Sequence, residues 1–219
     1  GLGAHKLTEV AARIGRQPTA LSRALVRLQD MGLLQRQVPF GESERSGKRA
    51  LYRIADPFFR TWFRLVAPHR AFLAASLPPQ RRSLWRKLGP GLVSEAWEDL
   101  CRAAVPRLRL DSGPGEGITW LPAQRFWHKN SPEWDIVSRS IDGKHTLLGE
   151  VKWHTGREAQ AVVRGAIGNL SSKGFPLLHG IREAGIVRVV FVPDAKPGVQ
   201  QGVHVVNAEQ VLQTCRDAV

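Results

Sequence analysis

The segment from Glu133 to His154 constrains the fold more than any other part of the chain. It reads EWDIVSRSIDGKHTLLGEVKWH, and the pair Asp142-Gly143 separates its two largely apolar runs. Such a pair is a strong signal for a two-residue turn between β-strands. The segment therefore predicts two neighbouring antiparallel strands, over residues 136–139 and 146–153.

Three charged side chains accompany this predicted hairpin. Asp135 precedes the first strand, and Glu150 and Lys152 lie two residues apart in the second, so they share one face of that strand. Folding at the turn brings Asp135 roughly opposite them. Charges on a hairpin usually form its solvated face, but the apolar neighbours of Glu150 indicate a buried strand, where lone charges need partners. The pattern favours a functional site.

The chemistry of this site follows from its charges. Two close carboxylates repel each other unless a cation lies between them, and their oxygens suit a hard ion such as Mg²⁺. A metal of this kind activates water against a phosphodiester, while Lys152 could orient that water or stabilise the developing charge. The hairpin thus predicts a site that uses Mg²⁺ or Mn²⁺.

The order of Asp135 and the tripeptide Glu150-Val151-Lys152 resembles the PD-(D/E)XK nuclease superfamily, which has the restriction-endonuclease-like fold. The resemblance implies that Asp135, Glu150 and the backbone carbonyl of Val151 bind the metal. It also implies that Lys152 assists the attacking water.

Many members of this superfamily add a glutamate from the preceding helix as a further metal ligand. Glu98, in EAWEDLCRAAV, is the first candidate, and Glu95, one turn earlier, competes with it. The chain departs from the family at one position, because Trp134 stands where the family has a proline. The catalytic set implied by the resemblance is Glu98, Asp135, Glu150 and Lys152.

Positive charge is concentrated in one part of the chain. The net charge is +13, and residues 1–90 carry 17 Lys or Arg against 5 Asp or Glu, whereas residues 91–219 carry 15 against 14. This asymmetry favours a polyanionic partner, with DNA the first to consider. An acidic protein or a membrane surface is the alternative, but no basic amphipathic helix of the membrane-lying type is evident.

The composition sets broader limits. A chain of 219 residues with 42% hydrophobic residues has room for one large or two small domains. No apolar run approaches the roughly 18 to 20 residues of a membrane span, and no signal peptide is evident. Cys101 and Cys215 have no partner at zinc-ligand spacing. We therefore expect a cytoplasmic protein without a membrane partner, and its start at Gly1 indicates part of a longer chain.

The first part of the chain predicts two helices and a hairpin. A helix over 7–15 and a second from Pro18 to Gly32 precede strands over 33–38 and 50–54. This order resembles the winged helix-turn-helix domain, which implies DNA contacts by the second helix and the hairpin loop, although many such domains bind only proteins. The implied contacts are Thr19, Ser22, Arg23, Val26, Arg27, Arg45, Lys48 and Arg49.

The rest of the chain predicts a second domain with helices and strands in alternation. An aromatic helix from Asp56 closes the first domain, with its aromatic stripe in the core, and a connector contains a short helix over 82–88. The predicted fold class is α/β (α+β), an N-terminal winged helix-turn-helix followed by the αβββαβ order of the nuclease superfamily. The domain boundaries are 1–68, 69–90 for the connector, and 91–219. The second-domain elements are helix 92–105, strands 118–127, 136–139 and 146–153, helix 157–170, strands 186–192 and 203–206, and helix 208–218.

Taken together, DPFFRTWFRLV after the hairpin, then WDIV and GEVKWH, resemble the C-terminal region of archaeal-type AAA+ ATPases. The resemblance implies an ATPase domain missing from this chain as a further partner. Two functions follow. The chain is a DNA-binding protein whose nuclease-like domain hydrolyses DNA phosphodiesters, or it is a non-catalytic DNA-binding regulatory or assembly module with an inactive nuclease fold.

Overall fold

The computed structural model describes residues 5–45, 49–129, 131–176, 178 and 183–216. The chain divides into two compact units, Gly1–Val38 with Glu42–Val93 and Pro39–Gly41 with Ser94–Val219. Helices and two sheets make it a mixed α/β protein, as the sequence predicts at that level. No helix of the described residues is long and apolar enough to cross a membrane.

The first unit begins with two helices and a two-stranded antiparallel sheet. Pro18 opens the second helix with its φ already suited to a helix, and Gly32 follows that helix with a φ of 69°. In the sheet, Leu34 lies opposite Ile54. These elements are α1 (Leu7–Arg13), α2 (Pro18–Asp30), β1 (Leu34–Gln37) and β2 (Leu51–Ile54).

The aromatic segment after β2 is helical but irregular. Asp56 caps it by accepting hydrogen bonds from the backbone N–H groups of Phe58 and Phe59. The prediction that the whole aromatic stripe is core is wrong, because Phe58 and Phe63 are 65% and 49% exposed and instead stack on Trp62 and Phe59. The segment comprises α3 (Pro57–Thr61), a π-helical turn (Trp62–Val66), a 3₁₀ turn (Ala67–His69) and α4 (Arg70–Ala75).

One long helix, α5 (Pro78–Ala104), replaces the two helices predicted over 82–88 and 92–105. It continues through Pro90, which removes one intrahelical donor without ending the helix. The boundary between the two units falls within α5. Residues 78–90, assigned by the sequence to a connector, are therefore helical.

The second unit is built on a six-stranded mixed sheet with strand order β3-β4-β5-β6-β8-β7. Strands β5, β6 and β8 run parallel to one another, and the other neighbouring pairs are antiparallel. The strands are β3 (Gln124–His128), β4 (Ser131–Arg139), β5 (Thr146–Val151), β6 (Ile186–Phe191), β7 (Gly198–Gln200) and β8 (Val203–Val206), with helices α6 (Ala159–Ser172) and α7 (Ala208–Arg216).

Two strand predictions need correction. The strand predicted over 118–127 starts only at Gln124, with a single bridge from Trp120 to Ser140 before it, because Pro122 has no N–H for the ladder. The short β7, Gly198–Gln200, was not predicted, since three residues carry too little periodicity to be recognised.

Apolar side chains cover both faces of this sheet. Successive residues of a strand point to opposite faces. Accordingly, Leu147 packs in a cluster with Trp97 and Cys101 of α5, while Leu148 packs in a second cluster with Val163 and Ile167 of α6. All six residues of β5 are buried. The sheet is thus the middle of three layers, and β5 lies at its centre.

A substitution at Gly149 tests how closely β4 and β5 pack. A Cβ at residue 149 would lie 3.0 Å from Cβ of Ile136 on the neighbouring strand and 3.4 Å from Cε2 of Phe191. We expect Gly149→Ala to lower the free energy of unfolding by about 1–3 kcal/mol through overpacking. Chemical denaturation of both proteins measures this.

Gly168→Ala is the matched control for Gly149→Ala. Gly168 lies inside α6 with nothing within 4 Å of an added Cβ, so alanine should raise stability by about 0.5–1 kcal/mol. Equal stability of wild type and Gly149→Ala would contradict the tight contact between β4 and β5.

Candidate functional site

The predicted central hairpin is formed by β4 and β5. Ile136 pairs with Gly149 in antiparallel register, and the turn between the strands places Gly143 at a φ of 70°. The amide of Ser140 donates to the carbonyl of His145 at 3.0 Å and closes the turn. This register carries Asp135 to the end of β5 where Glu150 and Lys152 lie.

Glu150 is the most deeply buried acidic side chain of the described residues, with 7% exposure. Its carboxylate has two ammonium partners. Nζ of Lys152 lies 3.1 Å from Oε2, and Nζ of Lys173 contacts Oε1. A carboxylate in a strand that is buried on both faces needs such partners. Removing its charge from water costs a large free energy, which is offset only if oppositely charged groups lie close to it.

Asp135 joins the same cluster from β4. The backbone N–H of Val151 donates to its Oδ2 at 3.0 Å, so the carboxylate reaches across to the end of β5. Burial raises the pKa of Asp135 above its usual range, and the negative charge of Glu150 raises it further, while the Val151 N–H and Lys152 act in the opposite direction. Asp135 and Glu150 therefore repel each other across the hairpin.

Lys173 is a member of the cluster that the sequence did not place there. It directly follows α6, and its Nζ lies 4.4 Å from the ring centroid of Trp134 as well as against Glu150. Cation–π attraction and the ion pair hold the same ammonium group. A lysine after a helix is most often a solvated charge, so only the packing of α6 on the sheet reveals this contact.

Glu98 has a different immediate partner. Its Oε2 lies 3.6 Å from Nη1 of Arg102, whose Nη2 contacts Oδ1 of Asp99 at 2.7 Å. The same Nη1 donates to the backbone carbonyl of Asp135 at 3.1 Å, so Arg102 ties α5 to β4. Glu95 also lies on α5, half-buried, and takes part in interactions of its own.

These acidic side chains do not assemble into a ready-made metal cage. Across the described part of the chain, no group of three or more His, Cys, Asp or Glu residues is placed to hold a metal ion. Two carboxylates, from Asp135 and Glu150, do converge. That donor set fits Mg²⁺ held by one or two carboxylates together with water and phosphate oxygens.

The predicted DNA contacts lie in the first unit. The side chains assigned to the outward face of α2 are all exposed, while Leu25 on the same helix is buried. Neither Arg23 nor Arg27 forms an ion pair with another described residue. The exposed α2 residues are Thr19, Ser22, Arg23, Val26 and Arg27.

The loop between β1 and β2 contributes less free charge than predicted. Arg45 and Arg49 are exposed, but Nε of Arg49 lies 2.9 Å from Oε1 of Glu42, which neutralises it. Lys48 lies outside the described residues. Among the predicted DNA contacts that the structure describes, Arg23 and Arg27 of α2 and Arg45 of the loop form no ion pair with a described residue.

Comparison with known proteins gives a limited result. A family model described as archaeal and bacterial proteins of unknown function matches residues 62–162, from the aromatic segment to the start of α6. An uncharacterized protein of Methanocaldococcus jannaschii is 26% identical over 154 residues, which are 69% of this chain and 33% of that protein. The chain thus spans about a third of the length of this relative. No solved structure matches.

The raised pKa of Asp135 predicts a pH-dependent stability. A carboxyl group whose pKa is raised in the folded state favours folding when protonated, so stability falls as pH rises from the ordinary carboxyl range through the raised pKa. Asp135→Asn keeps an acceptor for the Val151 N–H and removes the charge. We expect it to raise the melting temperature at pH 7 in EDTA and to have little effect near pH 3.

Asp142→Asn serves as the control for this measurement. Asp142 is exposed in the turn of the same hairpin, and hydrogen bonds from Ser140 and Lys144 lower its pKa. Because these hydrogen bonds stabilise the charged carboxylate, Asp142→Asn should lower the melting temperature at pH 7, whereas Asp135→Asn should raise it. A destabilised Asp135→Asn protein at neutral pH would contradict the repulsion between Asp135 and Glu150.

Proposed function

We propose that the chain binds DNA and hydrolyses its phosphodiesters with a divalent metal at Asp135, Glu150 and Lys152. The convergence of two carboxylates and an ammonium group at the end of a buried strand carries this proposal. The resemblance to the PD-(D/E)XK superfamily supports it, because α5, β3, β4, β5, α6 and β6 follow one another in the αβββαβ order.

The residues have separate roles in this mechanism. Asp135, Glu150 and the carbonyl of Val151 would hold Mg²⁺ or Mn²⁺, which when bound polarises the scissile phosphate and lowers the pKa of a bound water. Lys152, which is 42% exposed, orients the attacking water and stabilises the charge of the phosphorane. Glu98 would have a supporting role at the metal, because its carboxylate also forms an ion pair with Arg102.

Lys173 adds a positioning role. It holds Oε1 of Glu150 and is itself held over the ring of Trp134, so one side of the carboxylate is fixed by α6. The second oxygen faces Lys152, the more exposed of the two lysines. Release of this second contact leaves one carboxylate oxygen for the metal while the other stays anchored.

The first unit would supply DNA affinity. Its elements α1, α2, β1 and β2 have the order of a winged helix-turn-helix, and the exposed arginines of α2 fit phosphate and groove contacts. An ATPase domain elsewhere in a longer protein is proposed as a further partner on the AAA+ resemblance alone. The archaeal relative is itself uncharacterized and adds no activity to this proposal.

A second candidate function is a DNA-binding regulatory or assembly module without catalysis. The observation that favours it is the pairing of Glu150 with two ammonium groups and of Glu98 with Arg102, which balances the buried charge without a metal. In this case the cluster would only join α6 to the sheet. The two candidates differ in whether a divalent ion binds and whether DNA is cut.

Cleavage of DNA separates the two candidates. With Mg²⁺ or Mn²⁺ we expect cutting of supercoiled, linear or branched DNA, and Lys152→Ala should reduce the rate by about 100-fold or more because a charge-stabilising group is lost. Lys144→Ala, which removes an exposed lysine in the turn of the same hairpin, should leave the rate unchanged.

Calorimetry with Mn²⁺ completes this experiment. Binding to the wild type that is absent in Asp135→Ala would support the metal site independently of DNA. If neither protein binds Mn²⁺ or cuts DNA while DNA affinity is intact, the non-catalytic module is the better description.

The α2 surface makes a prediction about salt. Replacing Arg23 and Arg27 by glutamine should weaken duplex binding and reduce the slope of log K against log[salt] by about 1.8, since each phosphate contact contributes about 0.9. Fluorescence anisotropy in EDTA at several salt concentrations measures this slope. An unchanged slope would exclude both arginines as phosphate contacts.

A further inference from the structure

The first half of α5 belongs to a long stretch without acidic residues. Residues 57–94 contain seven Lys or Arg and no Asp or Glu. Within α5, Arg81, Arg82, Arg86 and Lys87 are all exposed, and none of them forms an ion pair with a residue that the structure describes. Unpaired positive charge of this density attracts a polyanion.

Helical spacing collects most of these charges on one face. Arg81, Trp85 and Gly89 follow one another four residues apart and form one stripe, and Arg82 and Arg86 form the adjacent stripe. Arg81 and Arg82 therefore lie one helical turn before Trp85 on the same surface. It is also 47% exposed, which is unusual for a residue of this size and hydrophobicity.

The indole ring of Trp85 lies flat on the helix. A Cβ added to Gly89 would be 2.5 Å from Cε2 and 2.6 Å from Cδ2, the two carbons that join the rings of the indole. These two carbons are shared by both rings, so an atom in the plane of the indole cannot come close to both of them. Residue 89 therefore lies over the face of the ring and not at its edge. The absence of a side chain at Gly89 thus lets one face of the ring rest against the backbone, while Trp85 as a whole remains nearly half exposed.

We propose that this face of α5 binds single-stranded nucleic acid, with a base stacked on Trp85 and phosphates held by Arg81, Arg82 and Arg86. A flat exposed ring within a positively charged surface is the combination that single-strand binding uses, because each base offers a face for stacking and each nucleotide a charge. The bases of a duplex are already stacked on one another, and an acidic peptide does not supply a ring with every charge, as each nucleotide does. The site uses none of the residues proposed for α2 or for the Asp135–Glu150 cluster, and it does not depend on the function proposed above.

The test is binding of a fluorescein-labelled oligothymidine of about 20 nucleotides to the full chain in EDTA, which prevents hydrolysis. Trp85→Ala should weaken binding by about tenfold, the scale of one stacked base, and Trp85→Phe should keep most of the affinity. Circular dichroism and thermal unfolding of each variant establish that it folds.

Gly89→Ala gives a second test. Residue 89 precedes Pro90, so a Cβ there costs some helix stability, and binding is therefore compared at a temperature at which thermal unfolding shows the variant to be fully folded. The added Cβ displaces the indole ring, so we expect affinity for oligothymidine to fall under these conditions. Phe72→Ala, which removes another exposed aromatic residue from the neighbouring α4, should bind as the wild type does.

Charge and partner class are tested in the same assay. The double variant Arg82→Gln/Arg86→Gln should reduce the salt slope for the single strand by about 1.4, at about 0.7 for each contact. Arg23→Gln/Arg27→Gln should retain single-strand binding even if duplex binding is lost. Wild-type affinity in Trp85→Ala would overturn the proposal, and so would displacement of the oligonucleotide by polyglutamate as effectively as by unlabelled DNA, which would indicate an acidic protein partner.

Discussion

The burial of β5 on both faces is the constraint on which the second unit depends. The strand lies between an antiparallel neighbour, β4, and a parallel one, β6, with α5 on one face of the sheet and α6 on the other. An all-apolar strand would satisfy this position most simply. Glu150 introduces a carboxylate there, which requires the two lysines at the strand end as partners, while the neighbouring Asp135 adds repulsion.

Such an arrangement is costly. Buried ion pairs contribute little net stability compared with apolar packing, and the repulsion between Asp135 and Glu150 acts against folding. A chain that needed only to join α6 to its sheet could do so with apolar residues. Buried carboxylates that repel each other and have perturbed pKa values are common at functional sites, which supports a role for Asp135 and Glu150 beyond packing.

The first unit presents positive charge in two different ways. On α2, the exposed arginines stand beside small polar side chains, an arrangement suited to the phosphates and base edges of a duplex. On the first half of α5, arginines lie near a flat indole ring, which suits an unstacked base. A protein that handles both duplex and single-stranded regions of one nucleic acid would use both surfaces, and hydrolysis of a strand would produce such mixed substrates.

Much of the secondary structure could be predicted from the sequence because it depends on local pattern. Several correctly predicted features involve only residues that are close in the chain. They are the helix starts at Pro18 and at the Asp56 cap, the turn at Asp142-Gly143, and the pairing of Glu150 with Lys152. The errors arose where local signals compete with packing. Pro90 suggested an interruption that the helix does not make, and the aromatic residues after Asp56 suggested a core that Phe58 and Phe63 do not join.

By itself, the sequence determined that Asp135, Glu150 and Lys152 meet, because a two-residue turn and the period of a strand leave few other arrangements. Three contacts were decided only by the tertiary structure. Lys173 forms a second ion pair with Glu150, Arg102 forms an ion pair with Glu98, and the Trp85 ring lies over Gly89. The first two contacts follow from how α6 and α5 pack on the sheet, which residue spacing along the chain does not encode. The third depends on the rotamer of one side chain, since the helical period brings residues 85 and 89 together but does not set the ring's orientation.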